Sequence, residues 1–236
     1  MFGTILISII TFMHIYVLWR ATSVPFFKKY IHILISASLI LWTSFVLGRT
    51  FGHGGTGALA TTLEMIGMNW MATLFLIFVC LFGMDLVTGF GLFFSRKASS
   101  LRSLALIAGV ALSLIALIQG LRPPVFQSYE VLLKGLPDKM DGKAIVALCD
   151  LHVGSVIGKR WLEDRVVQIQ EQQPDLVVLV GDIFEGHGRP QEDMLRILGG
   201  ITAPLGVWAV TGNHEFHRGN KENVVGADHP VFGGHG

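Results

Sequence analysis

Long apolar runs dominate the first half of the chain, and short ones recur in the second half. Four runs are candidates for membrane spans, because about 20 apolar residues cross a bilayer core as a helix. They are 2–19, 31–47, 70–94 and 104–118. Arg122-Pro-Pro124 ends the last run, since tandem prolines cannot continue a helix. We therefore predict a transmembrane domain of about four helices over residues 1–122 and a second domain over residues 123–236.

The second half alternates between strand-like and helix-like patterns. Three short apolar runs have the length of strands: 143–149, 176–180 and 207–211. Two segments with helical spacing separate them: 161–172 and 191–198. The order strand-helix-strand-helix-strand is typical of a parallel α/β sheet. Residues 125–133 are rich in β-prone types and predict a further edge strand.

Composition and charge agree with this division. Of the 236 residues, 51% are apolar and 15% charged, and the mean hydropathy is +0.57, as in membrane proteins. Up to Arg122 there are eight lysines and arginines against two acids, and after it ten against fifteen. The acidic second half also holds six of the nine histidines. That mixture suits metal ligation and argues against nucleic acid as a partner, which would require a basic patch.

Basic residues between the spans predict the orientation of an integral membrane protein. The first loop contains Arg20, Lys28 and Lys29, and the third contains three more cations. Basic loops stay in the cytoplasm, so the N-terminus and the domain after Arg122 are expected to be extracytoplasmic.

Three residues within apolar runs require interpretation. Asp85 is either an ion or proton relay or, as we favour, an interfacial residue beside Arg96 at the end of a span over 63–84, because charge within a membrane is costly. Cys80 and Cys149 both lie in apolar runs and are predicted to be buried, with no disulfide framework.

Side chains that bind metals follow each predicted strand of the second half. The first strand leads into Asp150-Leu-His152, the second into Gly181-Asp182, and the third into Gly212-Asn213-His214-Glu215. Sites in open α/β sheets form just beyond the carboxyl ends of the strands. Carboxylates with imidazoles favour Mn, Fe, Zn or Ni over Ca.

The chemistry of these side chains suggests roles for them. Asp182 can bridge two cations with its two oxygens, and Asn213 offers an amide oxygen. Two cations about 3.5–4 Å apart would create a hydroxide nucleophile and bind the oxygens of a phosphate. His214 is suited to protonate the leaving oxygen as a general acid. Taken singly, Asp150 is equally a strand-end cap and His214 equally a surface histidine.

Together, the motifs resemble those of the calcineurin-like metallophosphoesterase superfamily, in particular its membrane-anchored branch. The resemblance covers about Tyr129 to Phe216. It implies a four-layer αββα sandwich and two divalent transition metal ions. It also implies that Asp150 and His152 ligate the first metal, that Asp182 bridges, that Asn213 ligates the second metal, and that His214 is catalytic.

The superfamily pattern continues with a lone histidine and a Gly-His-x-His motif, of which only Gly234-His235-Gly236 is suggested here. We therefore expect an incomplete sandwich, its N-terminal part. Two functions stay open at this point. One is a membrane-anchored phosphoesterase acting on phosphomonoesters or phosphodiesters, including lipid-linked phosphates. The other is a truncated or degenerate, non-catalytic membrane protein. The sequence does not indicate an oligomeric state.

Overall fold

The computed structural model describes residues 2–52, 57–154, 157–185 and 192–217. These residues form two compact units. Residues 2–52 and 58–127 make up the first, here called the helical unit, and residues 128–217 belong to the second, the sheet unit.

The helical unit consists of four long helices and one short one. They are α1 (Phe2–Ala21), α2 (Pro25–Lys29), α3 (Ile31–Leu47), α4 (Ala58–Val87) and α5 (Ala98–Gly120). A π-helical turn, Gly48–Gly52, extends α3. Apart from α2, each helix is long and apolar enough to cross a membrane, which confirms the four predicted spans.

The third span begins twelve residues earlier than the sequence pattern predicted, at Ala58 rather than Trp70. Polar side chains in this stretch bond to the helix itself instead of ending it. Thr62 donates its hydroxyl to the carbonyl of Ala58 at 2.7 Å, and Asn69 donates its amide to the carbonyl of Met65 at 2.8 Å. Because these polar groups are satisfied within the helix, they are compatible with an apolar environment.

Asp85 is fully buried near the end of α4, with partners from two other helices. Its Oδ2 lies 2.5 Å from Nε of Arg20 in α1, and its Oδ1 lies 3.3 Å from Nε of Arg102 in α5. The Tyr16 hydroxyl also donates to this carboxylate. Asp85 lies near the end of its span, as predicted, but the residues beside it are Arg20 and Arg102 and not Arg96. Its ion pairs therefore connect three helices, α1, α4 and α5.

Three parallel strands form the sheet unit. The strands are β1 (Ile145–Leu148), β2 (Leu176–Val180) and β3 (Val207–Val210), in the order β1-β2-β3. The helices are α6 (Lys159–Glu171), α7 (Glu192–Leu198) and α8 (Asn213–His217). Ile145 pairs with Leu176, and Val177 with Val207. The predicted α/β fold after a helical membrane domain is confirmed; the described residues contain this one sheet.

Packing of α6 and α7 on the sheet creates a compact core. The buried apolar side chains of this core are Val146, Leu151, Val153, Leu162, Ile169, Val177, Leu179, Ile183, Phe184, Met194, Leu198 and Ile201. Several of them follow β1 and β2 directly, so the loops that carry the candidate site are themselves anchored in the core.

The predicted strand over 125–133 and the predicted burial of the two cysteines are wrong. Residues 125–133 have no strand, and Val125 and Leu132 are 88% and 90% exposed, so β-propensity without packing was insufficient. Cys149 is exposed because β1 ends one residue before it, and Cys80 is only half-buried.

An ion pair at the other end of the sheet fixes the starts of β1 and β2. Lys143 Nζ lies 2.7 Å from Asp175 Oδ1, and the N–H of Ala144 donates to Asp175 Oδ2 at 2.9 Å. The hydrogen bond from Lys143, with that from Ala144, lowers the pKa of Asp175.

The lowered pKa of Asp175 predicts a pH-dependent contribution to stability. The contribution is complete above the ordinary aspartate pKa of about 3.9 and is lost as the pH falls through the lower folded value. We expect Asp175→Asn to lose this part of the acid dependence of unfolding between about pH 5 and 2. Urea unfolding of the full chain across that range measures it, with Asp164→Asn, on the exposed side of α6, as control. Identical acid slopes in Asp175→Asn and the wild type would contradict the prediction.

Candidate metal centre

The loops after β1 and β2 lie side by side beyond the strand ends. The N–H of Asp150 donates to the carbonyl of Gly181 at 3.2 Å, and the N–H of His152 to the carbonyl of Asp182 at 3.0 Å. Asp150, His152 and Asp182 have φ angles of 55°, 44° and 51°. Residues other than glycine rarely adopt this left-handed backbone conformation, because it costs energy. The residues that do adopt it are concentrated at functional sites. Three of the five predicted site residues therefore hold a strained backbone.

Glu215 joins the loop after β2 to the loop after β3. Its side chain is buried, and its two carboxylate oxygens accept hydrogen bonds from four backbone N–H groups. The donors are Asp182 (2.8 Å), Ile183 (2.8 Å), Phe184 (2.9 Å) and Gly212 (2.9 Å). A carboxylate that accepts several N–H groups forms a strong charge-assisted network. Glu215 thereby fixes Asp182 relative to α8.

Asp182 and the start of α8 approach each other closely. Asp182 Oδ1 accepts a hydrogen bond from the N–H of His214 at 2.8 Å. A Cβ at residue 212 would lie within 3.0 Å of both the carboxylate and the backbone nitrogen of Asp182. Only glycine at position 212 therefore permits this approach.

Three predicted site residues meet at this point. His152, Asp182 and His214 each offer a ligand atom, and these atoms all lie within 4.8 Å of one another. The rings of His152 and His214 are nearly perpendicular, with centroids 4.5 Å apart. Each of the three side chains is partly exposed, so the cluster is open to solvent.

The other two predicted ligands lie at the edge of this cluster. Asp150 has a side chain that is 62% exposed, and its Oδ1 is 3.8 Å from Nε2 of His152. Asn213 is exposed at the first position of α8. Gly234-His235-Gly236, which suggested the start of the Gly-His-x-His motif, lies outside the described residues.

Glu185 is a member of the site that the sequence interpretation missed. Its Oε2 lies 2.9 Å from Nδ1 of His152 and 2.9 Å from Nδ1 of His214. An ionised carboxylate accepts hydrogen bonds, so the Nδ1–H of each ring can donate to Glu185, which turns Nε2 of His152 toward Asp150 and leaves it as the nitrogen that a metal can bind. The sequence signal that could have identified Glu185 was its position three residues after Asp182, in the same loop.

The donor set fits a divalent transition metal. The imidazole of His152 and the carboxylates of Asp182 and Asp150 are ligand types that suit Zn, Mn, Fe and Ni. Neighbouring Cys149 is exposed and is not one of the three side chains whose ligand atoms meet. Its hydrogen bond with the Asp150 carboxylate raises the pKa of its thiol.

Comparison with known proteins gives a match in the same region. The family model described as calcineurin-like phosphoesterase matches residues 144–233. The bovine transmembrane protein with metallophosphoesterase domain is 30% identical over 129 residues, which cover 55% of this chain and 29% of that protein. The zebrafish protein of the same name is 31% identical over 119 residues, covering 50% of this chain and 27% of the relative.

A bacterial relative shows the same extent of similarity. An uncharacterized metallophosphoesterase of Campylobacter jejuni is 28% identical over 117 residues, covering 50% of this chain and 30% of that protein. The chain therefore spans less than a third of the length of these relatives. No solved structure matches the chain.

Proposed function

We propose that the protein is a membrane-anchored, metal-dependent phosphoesterase that hydrolyses phosphomonoesters or phosphodiesters, because residues 144–233 match the family model described as calcineurin-like phosphoesterase. The observation that carries the proposal is the convergence of His152, Asp182 and His214 beyond the carboxyl ends of parallel strands. Active sites in α/β sheets form at this edge.

The proposed ligands divide between two divalent cations. Asp150, His152 and Asp182 would hold the first, and Asp182 and Asn213 would hold the second. Bound cations of this kind lower the pKa of a water molecule and neutralise charge on the phosphoryl oxygens. The left-handed backbone at Asp150, His152 and Asp182 is consistent with this role, because strain of this kind is retained where side chains must be aimed at a ligand.

His214 is proposed to protonate the leaving oxygen. Glu185 accepts a hydrogen bond from Nδ1 of His214 and so directs Nε2 of that ring away from the carboxylate. The hydrogen bond from the His214 N–H to Asp182 ties the acid to the proposed bridging ligand.

The membrane spans suggest a class of substrate. Four helices able to cross a bilayer tether the sheet unit, so phosphoesters that carry a lipid tail are proposed alongside soluble ones. The basic loops at Arg20–Lys29 and Arg96–Arg102 favour an extracytoplasmic site by the positive-inside rule.

Hydrolysis by the purified full chain tests the proposed function. With Mn²⁺ and bis(p-nitrophenyl) phosphate or p-nitrophenyl phosphate, we expect metal-dependent release of nitrophenolate. His214→Ala should lower the rate about a hundredfold, the usual loss for a general acid. Asp182→Asn should lower it at all metal concentrations. Asp164→Asn, exposed on α6, is the matched control and should retain the wild-type rate. Equal rates in all four proteins, or no hydrolysis, would favour the non-catalytic alternative.

A further inference from the structure

Two segments of similar composition occur in the loops of the helical unit. Residues 26–29 read Phe-Phe-Lys-Lys, and residues 93–97 read Phe-Phe-Ser-Arg-Lys. Each places an aromatic pair before two cations, directly in the first segment and with Ser95 between them in the second. Neither segment belongs to the candidate metal centre, and together they are called the basic end here.

Contacts around Ser23 bring the two segments to the same end of the helical unit. Arg102 Nη1 donates to the hydroxyl of Ser23 at 3.2 Å. The hydroxyl of Ser99 donates to the carbonyl of Ser23, also at 3.2 Å. Ser23 lies three residues before the first segment, and Ser99 lies two residues after the second. The basic end is therefore one surface built from two connections between the long helices, the first of which contains α2.

The cations and most of the aromatic rings of this surface point outward. Lys28, Lys29, Arg96 and Lys97 are all exposed. Phe26 and Phe93 are 64% and 76% exposed. Aromatic rings beside cations at the ends of membrane spans are typical of the headgroup level of a bilayer. There the rings contact the apolar acyl chains and the cations stay hydrated.

Acidic side chains do not neutralise the basic end. The sequence has no acid from residue 1 to 63 and none from 86 to 129. Asp85 is the acid at this end, and it is buried between Arg20 and Arg102. Those two arginines already exceed its single charge. The four exposed cations therefore form a patch whose natural complement is an anion from outside the chain.

We propose that the basic end binds the phosphate groups of anionic phospholipids, with the cations on the headgroups and Phe26 and Phe93 at the level of the upper acyl chains. Each lysine or arginine near an anionic lipid surface strengthens binding about fivefold. The Asp85 ion pairs hold the two loops together, so the surface presents four cations at once. The proposal does not depend on the hydrolytic activity of the sheet unit.

Lipid titration of the full chain tests the proposal. Protein purified in a neutral detergent with phosphatidylcholine is titrated with phosphatidylglycerol, and the rise in melting temperature gives an apparent affinity. The variant K28Q/K29Q/R96Q/K97Q should bind at least about tenfold more weakly. The control R122Q/K134Q/K139Q/R160Q removes the same charge from exposed positions elsewhere and should retain wild-type affinity.

Two further variants keep the test decisive if the quadruple variant does not fold. K28Q/K29Q and R96Q/K97Q should each lose part of the affinity, whereas the charge-preserving K28R/K29R/R96K/K97R should retain it. Equal affinity in the wild type and the glutamine variants would overturn the proposal. An equal loss in the control would also overturn it, because the attraction would then follow net charge alone. The same shift with soluble glycerol phosphate would overturn the assignment to lipid.

Discussion

Glu215→Ala is expected to lower the free energy of unfolding of the sheet unit by about 4 kcal/mol or more. A buried N–H group that loses its acceptor costs about 1–3 kcal/mol. Glu215 accepts from four N–H groups, of which those of Ile183 and Phe184 are buried and those of Asp182 and Gly212 part-buried. Water entering the space left by the side chain would recover part of that cost. The loss should be greatest at residues 182–184, whose three N–H groups all donate to Glu215.

Hydrogen exchange on the full chain measures this prediction, because it resolves the sheet unit from the helical unit. Amides 182–184 should exchange much faster in Glu215→Ala. Glu215→Gln should have an effect between those of the wild type and Glu215→Ala. Its carbonyl oxygen can still accept from two of the N–H groups, but its amide NH₂ faces the other two, which are donors as well. Glu163→Ala, exposed on α6, should leave the pattern unchanged. Unchanged protection of amides 182–184 in Glu215→Ala would contradict the assignment of Glu215 as the link between the loops.

Asp85→Ala is expected to lower the stability of the helical unit by about 3–5 kcal/mol. Removing one partner from a buried ion pair leaves the other charge without compensation, which costs more than the pair itself contributed. Here two arginines, with side chains 8% and 12% exposed, would lose their shared carboxylate. Asp85→Asn should show most of the same loss, because it keeps the shape but removes the charge.

Thermal unfolding in mild detergent, followed by circular dichroism, measures the effect of Asp85. The double variant Asp85→Ala/Arg102→Ala should be less destabilised than the sum of its two single variants, because the second change removes a charge that the first left unpaired. Additive losses would show that the three side chains do not act as a unit. Unchanged melting of Asp85→Ala would contradict the structural role of the triad.

The length of the apolar runs predicted the four spans, and the alternation of strand-like and helix-like patterns predicted the elements of the sheet unit. The four spans, the strand 176–180 and the helix-strand alternation were all readable from the order of apolar and polar positions. Strand ends then located Asp150, Asp182 and His214, since parallel strands present their carboxyl ends at the same edge.

Other features depend on tertiary contacts that periodicity does not encode. Nothing in the pattern distinguishes Glu185 or Glu215 from ordinary loop acids until the loops meet. The partners of Asp85 follow from how three helices pack, and Arg96, which is nearer in sequence than Arg102, is exposed instead. Residues 125–133 have the composition of a strand, but a strand also requires a neighbour to receive its backbone hydrogen bonds.

Metal content is the most direct test of the central claim that the three strand ends form one metal site. The full chain, purified with Mn²⁺ and dialysed, is compared by elemental analysis with Asp182→Asn and with the control Asp164→Asn. The site predicts about one or more transition metal ions per chain in the wild type and the control, because imidazole and carboxylate ligands bind such ions when assembled by the fold. The site also predicts that Asp182→Asn contains clearly less metal per chain than the wild type. Less than one ion per chain in the wild type, or the same content in Asp182→Asn, would contradict it.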